Sequence, residues 1–146
     1  MWDADRGKWV PTERLKNTQL TNAQVLALRA TPITLVAAPG ANLTALVHRV
    51  YIVSDDTAGA WTETDDNLLV EYADATAITP AIDATNLVGG GVQIRDIRIS
   101  TGDLPPDVNA VVRIKNTGGG EWGGGNAANT MSVRVWYSIV PAVAFS

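Results

Sequence analysis

Thr130-Met131-Ser132-Val133-Arg134-Val135-Trp136-Tyr137-Ser138-Ile139 decides the fold class. Met131, Val133, Val135, Tyr137 and Ile139 recur every second residue, the signature of a strand with one face buried and not of a helical stripe. Working backwards, residues 43–53 carry the same texture. Strict alternation puts Val47, Arg49, Tyr51 and Val53 on one face and Leu46, His48, Val50 and Ile52 on the other. Both faces are largely apolar, so this strand is expected at the centre of a sheet. Residues 33–36, 67–72, 92–99 and 109–115 add β-branched runs, and residues 77–79 a short one, all separated by Gly and Pro punctuation. About seven strands with such turns describe an all-β chain, a jelly-roll-like β-sandwich.

One helix interrupts this pattern. Thr21-Asn22-Ala23-Gln24 fits a capping box, in which the Thr hydroxyl and the Gln side chain satisfy free backbone donors of the first turn. Val25, Leu26 and Leu28 supply an apolar face, and Thr31-Pro32 ends the helix after about two turns. Residues 1–20 mix charges with Trp2, Trp9 and Pro11 and hold no period. They are expected to form an extended N-terminal arm, leaving 21–146 as a single β-sandwich domain. Residues 118–126, with six glycines around Glu121, Trp122 and Asn126, are expected to form a flexible loop tip carrying one aromatic.

The chain has 146 residues, 46% of them apolar, enough for one core. Charged residues make up 18% and the net charge is −4, which argues against nucleic acid as a partner, since that affinity rests on phosphate neutralisation. There is no cysteine, hence no disulfide, thiolate metal site or thiol nucleophile. The apolar runs are too short to cross a membrane as helices, and the first six residues lack the basic and apolar segments of a secretory signal. The expectation is a soluble protein made in a cytosol.

Chemistry finds little purchase. His48 is the only histidine, and one titratable residue in mid-strand makes no acid–base site. The connection at 54–66 collects Asp55, Asp56, Glu63, Asp65 and Asp66 without a base, the donor set calcium favours, but its spacing is not that of an EF-hand, and a solvated acidic loop explains it as well. No phosphate-binding loop, nucleophile elbow or zinc-protease motif occurs, and no cofactor is implied. The chain is therefore expected to bind partners and not to be an enzyme. Candidate contact residues are the aromatics and one arginine at its margins: Trp2, Trp9 and Arg14 in the arm, and Trp61 and Trp122 in loops. Each loop tryptophan either reaches outward to a partner or folds back to cap one end of the sandwich.

Leu20-Thr21-Asn22-Ala23-Gln24-Val25-Leu26-Ala27-Leu28-Arg29-Ala30-Thr31-Pro32, continuing through Ile33 to Pro39-Gly40-Ala41, resembles the start of small β-rich virion proteins of tailed bacteriophages. Asn129-Thr130-Met131-Ser132-Val133-Arg134-Val135-Trp136-Tyr137 is similar to the closing strand of that group. Together these stretches cover about a fifth of the chain. The resemblance implies a jelly-roll head decoration, or cement, protein. Such a protein is a trimer seated on the major capsid protein, at the capsid surface of a virion assembled in the host cytoplasm. The tryptophan-bearing leader and the glycine-rich loop depart from the group's commonest form. The alternative is a receptor- or glycan-binding domain of a head or tail fibre, with Trp61 and Trp122 at its tip.

Overall fold

The computed structural model describes residues 12–63, 67–99 and 107–142, together with the backbone of residues 2–3 and 8–9. Its elements run β1 (Trp2–Asp3), β2 (Lys8–Trp9), β3 (Glu13–Thr21), α1 (Asn22–Leu26), β4 (Ile33–Val36), β5 (Leu43–Asp55), β6 (Trp61–Thr62) and β7 (Asn67–Tyr72). They continue with β8 (Ile82–Asp83), a 3-10 turn (Ala84–Asn86), β9 (Val92–Arg98), β10 (Val112–Asn116), β11 (Gly123–Gly124) and β12 (Thr130–Pro141). Two four-stranded antiparallel sheets carry the architecture, ordered β3-β12-β5-β9 and β4-β10-β7-β8. Among these eight strands the first pairs with the last, the second with the seventh, the third with the sixth and the fourth with the fifth. One long hairpin rolled across two sheets gives that nesting, so the winding is jelly-roll-like. Two two-stranded ladders, β1-β2 and β6-β11, complete the strand pairing.

The core forms where the inward phases of the two sheets meet. Leu20, Val47, Val50, Ile52, Met131, Val133 and Val135 come from the larger sheet, and Leu35, Leu68, Val70, Tyr72, Val112 and Ile114 from the smaller. The Tyr72 hydroxyl donates to the Ala45 carbonyl at 2.7 Å and ties one sheet to the other. Burial pushes the Tyr72 phenol up to about 12. The capping box is present: Thr21 Oγ1 accepts from Gln24 N at 3.4 Å, and Gln24 Oε1 accepts from Thr21 N at 2.9 Å. Val25 of the helix is buried against the core.

Three sequence expectations change here. The central strand does not alternate throughout, because Trp136 pairs with Arg49 while Tyr137 pairs with Val47. His48 is thus an extra residue, a β-bulge, and Val47 joins Val50 and Ile52 in the core instead of sharing a face with Arg49 and Tyr51. Residues 13–21 are extended, as an arm would be, but they form an edge strand of the larger sheet paired along Thr130 to Ser138. Residues 77–79 form no strand and contribute only an isolated bridge from Ala77 to Glu71.

The glycine-rich segment is also fixed in place. The Glu121 carboxylate accepts from Arg29 N at 2.9 Å and Ala30 N at 2.7 Å, and Arg29 Nε donates to the Gly118 carbonyl at 2.8 Å. Gly123–Gly124 pair with Trp61–Thr62. Gly125 has φ +80°, and a Cβ there would overlap Asn22 Oδ1 and the Trp61 indole, so the chain passes this point only as glycine.

Candidate functional site: the outer face of the larger sheet

Register fixes which side chains share the outer face of β3-β12-β5-β9. The first row is Leu15, Trp136, Arg49 and Arg98, and the second is Asn17, Arg134, Tyr51 and Asp96. The third is Gln19, Ser132, Val53 and Ile94, and the fourth Thr21, Thr130, Asp55 and Val92. Two halves of different chemistry result. Three arginines and two aromatics occupy the first two rows, and aliphatic residues dominate the β5–β9 side of the last two.

The arginine half is organised by stacking. The Arg49 guanidinium lies 4.9 Å from the Trp136 ring centre and 5.8 Å from that of Tyr51, while Arg134 lies 5.9 Å from Tyr51. Arg49 also holds Asp96 through two parallel bonds, Nε to Oδ1 at 2.6 Å and Nη2 to Oδ2 at 2.7 Å. Those bonds keep the Asp96 carboxyl below the usual carboxylate range and raise Arg49 further. The planar fork is thereby immobilised before any partner arrives, which lowers the entropy cost of using it as a contact. Among the described residues, Arg98 and Arg134 form no ion pair.

Leu15 is 57% exposed, Val92 56% and Ile94 50%, three of the four large exposed hydrophobics among the described residues. All three sit on this one face. Scattered aliphatics on a surface need no explanation, but three beside Trp, Tyr and Arg reproduce the composition of protein–protein contact centres. The face offers no nucleophile next to a base, and among the described residues no three metal-ligating side chains come together. What the face offers is stacking, charge and apolar area.

The residues singled out from sequence fall elsewhere. Trp2 and Trp9 stand opposite each other in the β1-β2 ladder, and their side chains lie outside the described residues. Arg14 is exposed on β3, opposite Tyr137. Trp61 and Trp122 do not reach outward: they are 2% and 3% exposed, with ring centres 6.0 Å apart. Trp61 Nε1 donates to Asn22 Oδ1 at 2.6 Å, which fixes the indole at the helix start. Both tryptophans fold back as caps, because an indole gains far more by burial than a loop gains by displaying it.

His48 Nε2 lies 2.9 Å from Ser138 Oγ, so the bulged histidine has a structural partner. Asp56, expected in a solvated loop, is fully buried and accepts from Trp61 N at 3.1 Å, Gly89 N at 3.0 Å and Gly91 N at 2.7 Å. Burial alone would raise its carboxyl, yet these donors outweigh burial and hold it below its ordinary value. A carboxylate so engaged has turned away from any solvent cation. Asp65 and Asp66 lie outside the described residues.

Sequence reasoning did not single out Arg49, Tyr51, Arg134, Trp136, Val92 and Ile94 as contacts. The signal was the period of two: in a strand whose odd residues are all apolar, Arg134 and Trp136 mark what the opposite side carries.

No protein-family model matches the chain, and no curated protein matches it. The fold is shared with a chain of the solved cyanophage Pam1 capsid asymmetric unit, at a TM-score of 0.55 and 17% identity, over 93% of this chain and 96% of that one. Both proteins are thus spanned almost end to end by the same architecture.

Proposed function

We propose that the protein is a non-enzymatic structural component of a bacteriophage capsid, a decoration or cement protein that binds the major capsid protein at the virion surface as a trimer. The observation that carries the reading is the end-to-end likeness in fold to a capsid chain. The outer sheet face supports it, since its fittings are those of a contact surface. Clamping a lattice requires several modest contacts held at once, where effective concentration multiplies weak affinities. The arm supplies a further contact: Trp2, Trp9 and Arg14 are anchors reaching a capsid subunit or an adjacent protomer. A fibre domain binding glycans loses its support, because the two tryptophans that would stack on sugars are buried.

The test is decoration of heads that lack the protein. Purified chain added to such heads is expected to appear in averaged particle images at many symmetry-related surface positions. Density confined to a tail or a single vertex would overturn the reading. A variant lacking residues 1–11 leaves β3 intact and isolates the arm. Full-affinity decoration by that variant would remove Trp2 and Trp9 as anchors.

A further inference from the structure

The charges of this chain are segregated along β5. Around Arg49, at the middle of β5, gather Arg14 and Lys16 of β3, Arg98 of β9 and Arg134 of β12, among the described residues five cations with Arg49 itself against the carboxylates of Glu13 and Asp96. Arg14 and Lys16 are exposed although they lie on the core-facing phase of β3, opposite Tyr137 and Val135. Toward Asp55, the last residue of the strand, the sign reverses. Glu63 and Asp83 are brought together by Thr85, whose hydroxyl donates to Glu63 Oε1 at 3.0 Å and whose N–H donates to Asp83 Oδ1 at 3.0 Å. Six residues of strand separate Arg49 from Asp55, roughly 20 Å at the usual rise. Two centres of opposite sign that far apart cannot neutralise each other within one molecule in physiological salt, where the Debye length is about 8 Å.

From this polarity we infer that the arginine half of the outer sheet face receives the acidic end of a second copy, head to tail. Among the described residues Arg98 and Arg134 form no ion pair, and Asp55, Glu63 and Asp83 are the complementary groups. Exposed Ile94 and Val92 supply apolar contact between the charged poles. A head-to-tail contact uses two different patches, so it closes into a ring when the rotation allows. The inference rests on the homo-oligomeric part of the proposed function and names the surfaces that make it.

The experiment uses the full chain in sedimentation velocity, with far-UV circular dichroism to confirm that each variant is folded. At about 50 mM salt the wild type is expected to associate, and at about 500 mM to dissociate, as screening shortens the reach of the charges. R98E/R134E is expected to weaken association at least about tenfold, and D55K/E63K likewise. A chain carrying all four changes restores complementarity with both signs exchanged, and its association is expected to return. Three results overturn the inference: a wild type that stays monomeric at low salt, an R98E/R134E variant that associates unchanged, or a fourfold variant as weak as the twofold ones. If R98E/R134E associates normally yet no longer decorates heads, the face belongs to the capsid and not to a second copy. Failure of the wild type to decorate heads, with charge-dependent association intact, would instead strike the proposed function alone.

Discussion

Gly125→Ala, set beside Gly119→Ala, separates a clasp from a flexible loop within one segment. Both substitutions add one methyl to a glycine-rich run of identical composition. At Gly119 nothing lies within 4 Å of the added atom, whereas at Gly125 it would overlap Asn22 Oδ1 and the Trp61 indole. The backbone at Gly125 also sits at φ +80°, where an alanine costs about 1–2 kcal/mol. Displacing a buried indole adds an overpacking cost of about 1–3 kcal/mol. Losing the bond from Trp61 Nε1 to Asn22, 2.6 Å long here, adds about 1 kcal/mol. The total for Gly125→Ala is about 3–6 kcal/mol, a fall in Tm of roughly 10–20 °C for a domain of this size. Gly119→Ala is expected to lie within about 0.5 kcal/mol of wild type. Thermal unfolding followed by tryptophan fluorescence reads both, and the Gly125 variant should lose native emission first, since its target is an indole. Equal melting temperatures for the two variants would refute the clasp and return residues 118–126 to a mobile tip.

Three further outcomes follow from other buried groups. Asp56→Asn removes the charge that gathers three backbone donors and is expected to cost about 2–3 kcal/mol at neutral pH, measured by urea unfolding. Because the Asp56 carboxyl is depressed in the folded state, its contribution is present above its ordinary value of 3.8 and fades as pH falls through the folded value; the Asn variant should converge on wild type there. Tyr72 has the opposite sense. Its folded value is raised from 10.0 to about 12, so wild-type stability should drop between pH 10 and 12 by on the order of 2 kcal/mol, and Tyr72→Phe should show a shallower alkaline slope. Glu71 is 1% exposed and paired with Arg113 at 2.6 Å and Lys115 at 3.2 Å, so Glu71→Ala, which strands two half-buried cations, should cost about 3–5 kcal/mol in the same unfolding assay.

What the sequence made legible was whatever depends on neighbours in the chain. The capping box at Thr21 and Gln24, the run at Ile33–Val36 and the period of two across Met131, Val133 and Val135 are local patterns with local causes. What escaped depends on partners far along the chain. A bulge at His48 leaves no mark in an alternating sequence until the facing strand supplies a register, and one inserted residue then moves Val47 from one face to the other. Strand β3 carries no period because residues 13–17 are exposed on both faces, so burial imposes no alternation there. The glycine-rich segment looks mobile by composition, yet Glu121 is fixed by amides 91 and 92 residues away.

The same distinction explains why the candidate contacts moved from the loops to a sheet face. A tryptophan in a polar loop invites an outward reading because its sequence neighbours offer nothing to bury it. Trp61 and Trp122 find each other across 61 positions, and that pairing, absent from any local window, removes both from the surface. Trp136 reaches the outer face by the opposite route. It occupies the phase of β12 that the core leaves vacant, half-buried and stacked by Arg49. The domain hides its loop aromatics and keeps Trp136, Tyr51 and three arginines on one sheet, the most strongly paired part of the fold. Lateral association through that face would keep the geometry between copies fixed by hydrogen-bonded strands, which resist the shear that a loop-borne contact would absorb by bending.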